Sequence, residues 1–478
     1  MMNKFERSRR QFLRTASMAS MAGISASPFI LGLNSMAAMA QSSSSTGYKA
    51  IVCVFLQGGN DGHGTVIATD PSSYSAFTQA RSGAPGLAYP IANLLPITLK
   101  TPQTGRTFAL NPALTGVQNL FNAGRAAIVA NSGTLIAPAT KAQVQANSVP
   151  LPASLYSHFD QTAAWQAIAS NGGSAEHVGW GGAVADLIES MNMNSNSMFT
   201  CISTAGIALF LSGQTSFQLN VTSAGPIPIY GLANPPFGLP QTANPLSSIL
   251  TNDENNLFAK EYGVVVNRSI QAQATLASSM LPAGPGGIPN PPQYLDPMTN
   301  KLVDNQLATS LQTVARIISG SSALGVTRQI FYVQLGSFDT HNNQAVQHAQ
   351  LLSQLGGALE YFDGVMVANG MGNNVTSFTA SDFGRTLTCN SNGTDHGWGS
   401  HHFVVGGAVQ GQDMYGQYPV IGANQANDVG AGRLIPTTSV DQYAGTLARW
   451  FGLSDGQVRQ VFPNFGNFGS SPYLGFMG

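Results

Sequence analysis

Apolar residues in this chain fall into two kinds of run. Continuous runs such as Tyr48 to Leu56, which stops at Gln57-Gly58-Gly59, predict strands buried on both faces, as in the parallel sheet of an α/β protein. Ala126 to Ala130, Gln329 to Leu335, Val375 to Thr379 and Phe403 to Val409 have the same character. Between them the spacing becomes helical. Leu114, Val117, Leu120 and Phe121 share one face of a helix that ends at Gly124, with Pro112 near its start. Further helices are expected from Ser157, over Ala183 to Met191, over Gln306 to Ser319, over a segment closing near Ala368, and over Ser439 to Leu453. This alternation predicts an α/β architecture. From about Phe199 to Pro297 the periodicity lapses and Pro and Gly accumulate, while Phe, Leu and Ile persist. That stretch predicts an insertion or cap, at about 199–297, on a domain spanning 41–478.

Composition changes the picture in two ways. Charged residues are only 9% of the 478, so the surface is built mostly from Ser, Thr, Asn, Gln and Gly. The formal net charge is −1, and leaving out residues 1–40 leaves 15 basic against 20 acidic side chains. A chain of that sign has no electrostatic footprint for nucleic acid. The first 40 residues carry the reason for leaving them out. Ser8-Arg9-Arg10-Gln11-Phe12-Leu13-Arg14 is a twin-arginine motif, followed by a weakly apolar run and then by Ala38-Met39-Ala40, a small-residue cleavage site. A removable export signal is expected over 1–40, with the mature protein periplasmic or secreted. No later stretch has the roughly twenty continuous apolar residues that a membrane span needs. The three cysteines, Cys53, Cys201 and Cys389, are scattered and odd in number, so no disulfide framework is expected.

The candidate chemistry lies where strands end. Three of the apolar runs lead into a loop bearing an aspartate: Asp61, Asp339 and Asp382. The stretch Thr379 to His402 adds Asp395, His396, His401 and His402, in a chain with eight histidines. In a doubly wound sheet such loops lie side by side, where ligands collect. Mixed carboxylate and imidazole donors suit zinc, manganese or another first-row ion, and an all-carboxylate subset suits calcium. Each piece also has a structural use: Asn60-Asp61-Gly62 as a turn, Asp339 as a helix cap, Asp382 as a partner for Arg385. His401 and His402, if extended, point to opposite faces.

The segments FLQGGNDGHGT, SLYSHFDQTAAWQ, GSFDTHNNQ, SDFGRT and GTDHGWGSHHFVVGGAV, with the twin-arginine signal, resemble a family of exported bacterial proteins of unknown function, numbered 1501 among such families. That family is grouped with the alkaline phosphatase superfamily, which includes sulfatases and cofactor-independent phosphoglycerate mutases. The resemblance implies an alkaline phosphatase-like α/β/α sandwich with a mostly parallel sheet. Matched by motif, it implies metal ligands at Asp61, Asp339, His341, Asp382 and His396. Phe383 stands where the superfamily has the histidine of an Asp-His pair, and this departure leaves a second metal site in question.

For the nucleophile the resemblance points to Ser157, with Thr65 next. Ser157 with Asp160 equally fits a helix cap. His158 and His63 are candidates for acid or base, and Arg385 for steadying an anionic substrate. None of the cysteines has the Cys-x-Pro-x-Arg context of formylglycine sulfatases. The expected function is an exported metal-dependent hydrolase of phosphate or sulfate esters, small-molecule or glycan, using a divalent ion such as zinc, manganese or calcium. The alternative is a non-catalytic exported scaffold or binding protein that retains the fold.

Overall fold

The computed structural model describes residues 47–167, 178–240, 244–251 and 256–478. The expected signal over 1–40 lies outside them. Among the described residues no helix is long and apolar enough to cross a membrane.

The sheet is built from ten strands: β1 (Lys49–Leu56), β2 (Ala126–Gly133), β3 (Cys201–Ser203), β4 (Gln218–Thr222), β5 (Gly225–Pro226), β6 (Arg328–Leu335), β7 (Val375–Ser381), β8 (Ser400–Val405), β9 (Met414–Tyr415) and β10 (Thr438–Ser439). Their order is β9-β2-β8-β7-β1-β6-β3-β4-β5, with β10 also on β2. The pairs β1 with β6, β1 with β7, β6 with β3 and β3 with β4 are parallel. Strand β8 runs antiparallel to both β7 and β2. The fold is therefore mixed α/β around a mostly parallel sheet.

Eight helices bear on the argument: α1 (Pro71–Arg81), α2 (Thr115–Asn122), α3 (His158–Gln166), α4 (Trp180–Ser190), α5 (Leu257–Ser279), α6 (Gln306–Ser319), α7 (Gln344–Ala368) and α8 (Val440–Phe451). Strand β1 shows why they form two layers. Its side chains alternate, as strand geometry requires. Ala50, Val52, Val54 and Leu56 enter one core, with α2, α6 and α7, whereas Ile51, Cys53 and Phe55 enter a second, with α4 and α8. A strand with a core on each face must be apolar on both, which is what its sequence shows from Ala50 to Leu56.

The stretch expected as an insertion begins inside the sheet, since β3, β4 and β5 extend it beyond β6. Its later part, including α5, lies outside the sheet strands and leaves Leu257, Phe258 and Tyr262 exposed.

The carboxyl ends of β7, β1 and β6 lie in register, with Leu56 opposite both Ser381 and Leu335. The three Asp-bearing loops consequently emerge next to one another. A bridge between Asn60 and Gly384 joins two of them. Gly58, at φ +114°, lies so close to the third that a Cβ there would meet the Asp339 backbone nitrogen at 2.4 Å.

Candidate metal centre

Three segments supply the side chains. Asp339 and His341 follow β6, in a turn held by hydrogen bonds from Thr340 N to Phe338 O at 2.8 Å and from His341 N to Asp339 O at 3.2 Å. His158 is the first residue of α3. His396 ends a two-stranded hairpin, Arg385–Cys389 with Thr394–His396, in which it pairs directly with Arg385. The hairpin turn is closed by the Asn390 carboxamide, which accepts from Asn392 N and Gly393 N. It docks on the Asp339 loop through Thr394 N, which donates to Thr340 O at 3.3 Å.

These elements bring three imidazole Nε2 atoms and one carboxylate oxygen together. His396 Nε2 is 3.1 Å from His158 Nε2, 2.9 Å from His341 Nε2 and 3.2 Å from Asp339 Oδ1. Asp339 Oδ1 is 3.1 Å from His341 Nε2 and 3.5 Å from His158 Nε2. His158, Asp339 and His396 form a tight group, and His341 adds a donor beside the last two.

The far side of each ring shows what the near side presents. His396 Nδ1 is 2.8 Å from the Tyr156 carbonyl, which only accepts, so Nδ1 carries the proton and neutral His396 offers an Nε2 lone pair. His158 Nδ1 faces Asp382 Oδ2 at 2.7 Å, and His341 Nδ1 faces Asp395 Oδ1 at 3.1 Å. Three rings are thus held from behind by oxygen acceptors and aim their other nitrogens at one place. Such outer partners characterise histidines that bind metal. Rings protonated at Nδ1 would present three nitrogen lone pairs and a carboxylate oxygen to one point, an arrangement that a bound cation stabilises. A tetrahedral zinc with bonds of about 2.0–2.2 Å separates its ligands by roughly 3.3–3.5 Å, close to the spacing here. The donor set therefore fits a divalent first-row ion, and fits calcium poorly, since calcium takes oxygen ligands.

Electrostatics agree. Burial pushes the Asp339 carboxyl upward, but the hydrogen bond and charge of Arg385 outweigh it and hold the group below its usual value, ionised. The hydrogen bond to Asp382 raises His158 against the effect of burial, while burial lowers His396. The Phe383 ring packs 4.7 Å from both the His158 and His396 rings, so this residue forms an apolar wall of the site. The Asp339 and His341 side chains are 44% and 42% exposed, which leaves the group open to solvent.

Of the residues expected as ligands, Asp339, His341 and His396 belong to this group. Asp382 stands behind it: its Oδ1 accepts from Gly58 N and its Oδ2 holds His158. Asp61 is not in the group. Its oxygens accept from Arg81 at 2.7 and 2.8 Å and from Gln344 Nε2 at 2.6 Å, in a wholly buried pair. His158, expected as acid or base, is a donor of the cluster.

Ser157 caps α3, accepting from Asp160 N and donating to Asp160 Oδ2 at 2.6 Å. Arg385 is buried and spends its guanidinium inside the protein, on Asp339, Gly58 O and Thr394. It orients Asp339 rather than waiting for a substrate. Thr65 is buried and bonds Asp61 O. His401 and His402 are both buried in β8, one stacked on Tyr418 and the other edge-on to Trp165. The Tyr156 carbonyl was not visible in the sequence. A backbone acceptor leaves no signature, although the φ of +72° at this bulky residue marks a position under constraint.

The Asp382 contact makes a prediction. In Asp382→Asn the carboxamide has one acceptor for two donors, Gly58 N–H and His158 Nδ1–H, so with its oxygen kept on Gly58 its NH2 faces the ring, which loses the partner that fixes its tautomer. Zinc affinity, measured by competition with a chelator, is expected to fall about 10- to 100-fold with stoichiometry preserved. Unchanged affinity would mean that Asp382 does not govern His158.

The fold and site together define an α/β protein with a histidine–carboxylate cluster at the carboxyl edge of its sheet. A family model described as "Protein of unknown function (DUF1501)" matches residues 293–462, which include Asp339, His341, Asp382 and His396 but not His158. No curated protein matches the chain. Among solved structures, a protein described under the metabolism of multiple glycosaminoglycans by Bacteroides thetaiotaomicron is 10% identical, with 87% of this chain and 74% of that one covered and a TM-score of 0.32. Ps i-CgsB in complex with k-i-k-neocarrahexaose is also 10% identical, with 86% and 73% covered and the same TM-score of 0.32.

Proposed function

We propose that this chain is an exported, alkaline phosphatase-like, metal-dependent hydrolase of phosphate or sulfate esters. The observation that carries the reading is the convergence of His158, His341, His396 and Asp339, with each ring nitrogen opposite the cluster held by Tyr156 O, Asp382 or Asp395. Export rests on the twin-arginine pattern at Ser8 to Arg14. These residues would hold a divalent ion, zinc fitting the donors best and manganese next. When bound, such an ion polarises an ester oxygen or lowers the pKa of a water. The chain's own part is to turn three imidazole Nε2 atoms toward one point, to keep Asp339 ionised through Arg385, and to wall one side with Phe383. Because both hydrogen-bond uses of Ser157 serve the helix cap, attack by water is favoured over attack by this hydroxyl.

Metal content of the purified protein, followed by turnover of chromogenic phosphate and sulfate esters, tests the reading. Ser157→Ala is expected to retain most activity and to lose about 0.5–2 kcal/mol of stability as a cap residue. Complete loss of turnover in a folded Ser157→Ala protein would instead make Ser157 the nucleophile. A metal-loaded protein inert toward every ester would favour the scaffold reading. That reading draws support from Phe383 and from the neutralisation of Asp61 by Arg81, which remove two donors from the neighbourhood.

A further inference from the structure

We infer that Arg433 is the residue that binds the anionic group of the substrate, a tetrahedral oxyanion. This inference rests on the proposed hydrolase reading and deepens it. An ester anion must approach a cluster with three carboxylates around it, Asp339, Asp382 and Asp395. Arg385 and a divalent ion would together only neutralise them. Arg385 has nothing left to offer, since its nitrogens are spent on Asp339, Gly58 and Thr394 and its side chain is fully buried. A further positive group is needed, and Arg433 is bonded to a residue of the cluster and has unpartnered N–H groups.

Its Nε donates to the backbone carbonyl of His396 at 3.0 Å. Its guanidinium lies over the Tyr156 ring, 4.9 Å from the centroid. Tyr156 and His396 are themselves joined by the Nδ1–H to carbonyl bond that orients His396. Arg433 is therefore fixed at two points to the residues that set the cluster's geometry. Among the described residues neither of its Nη atoms has a hydrogen-bond partner, and the side chain is only half-buried. A guanidinium held by Nε and by an aromatic face keeps its terminal pair of N–H groups ready for two oxygens of one anion, at little entropic cost.

The test uses the full mature protein, metal-loaded and chelator-treated, titrated calorimetrically with inorganic phosphate and with inorganic sulfate, with metal content assayed on the same samples. Arg433→Ala is expected to keep wild-type metal content and to bind the preferred anion roughly 10- to 100-fold more weakly. Arg433→Lys, which keeps the charge but not the fork, should fall between and guards against a misfolded alanine variant. Equal anion affinity in wild type and Arg433→Ala overturns the inference, as does a metal-loaded wild type that binds neither anion. It is also overturned if metal content falls in step with anion affinity, because Arg433 would then only prop His396. Absence of metal from the wild type would defeat the hydrolase reading separately. Arg433-dependent anion binding by that metal-free protein would still support the inference, and its absence there would overturn it.

Discussion

Replacing His396 with alanine is expected to reduce bound divalent metal to background and to abolish ester hydrolysis. The geometry makes this the largest functional effect, because His396 Nε2 is the atom that His158, His341 and Asp339 all approach, at 3.1, 2.9 and 3.2 Å. Losing a partner behind a ligand typically costs 10- to 100-fold in metal affinity, so losing the shared ligand should cost more than about 100-fold. The fold should tolerate the change. The His396 side chain is 23% exposed, and outside the cluster its ring makes one hydrogen bond, to Tyr156 O, and packs on Phe383, so thermal unfolding should shift only slightly. Metal analysis after dialysis, alongside a melting curve, separates the two effects. A folded His396→Ala protein with unchanged metal stoichiometry would sink the proposed centre.

Much of the scaffold was legible in the residues themselves. Helix α6 spans Gln306–Ser319, as its periodicity predicts, and β1 and β6 end where their apolar runs stop. These are elements whose own patterns carry the information, a helical stripe or a run with no polar interruption. The loops at the ends of β1, β6 and β7 follow from the parallel topology, so the neighbourhood of Asp339 and Asp382 could be anticipated. Which donor faces the cluster could not. Asp61, Asp339 and Asp382 look alike at the end of an apolar run, yet one is neutralised by Arg81, one joins the cluster and one stands behind His158. That division is decided by contacts spanning 20 to 224 positions. His401 and His402 illustrate the opposite case: they have metal-ligand side chains but belong to a buried strand, where one packs on Tyr418 and the other against Trp165. Arg433 has no motif around it, and only the bond to His396 O and the contact with the Tyr156 ring reveal its place.

Arg81→Ala is expected to be the most destabilising single change near the site, by about 3–5 kcal/mol, because it strands a buried carboxylate. The Arg81 and Asp61 side chains are 0% and 1% exposed. Besides its two bonds to Asp61, Arg81 donates to Leu387 O at 2.6 Å and to Thr386 O at 3.2 Å. Asp61 in turn accepts from Gln344 Nε2 and from Gly64 N. One ion pair thus ties α1, the loop after β1, the start of α7 and the hairpin that delivers His396. Burial pushes the Asp61 carboxyl upward, but the charge and hydrogen bonds of Arg81 prevail and hold it well below its usual value. A carboxyl depressed in the folded state adds stability that is present above its unfolded pKa of about 3.9 and is lost as pH falls through the folded value. Wild type should therefore lose stability as the pH drops below about 4, while Asp61→Asn, lacking the titrating group, should be weaker at neutral pH with a shallower acid limb. Denaturant unfolding from pH 7 to pH 2 measures both. If Asp61→Asn instead kept its stability and lost its metal, Asp61 would be a ligand after all, and Arg81 would have to release it when the ion binds.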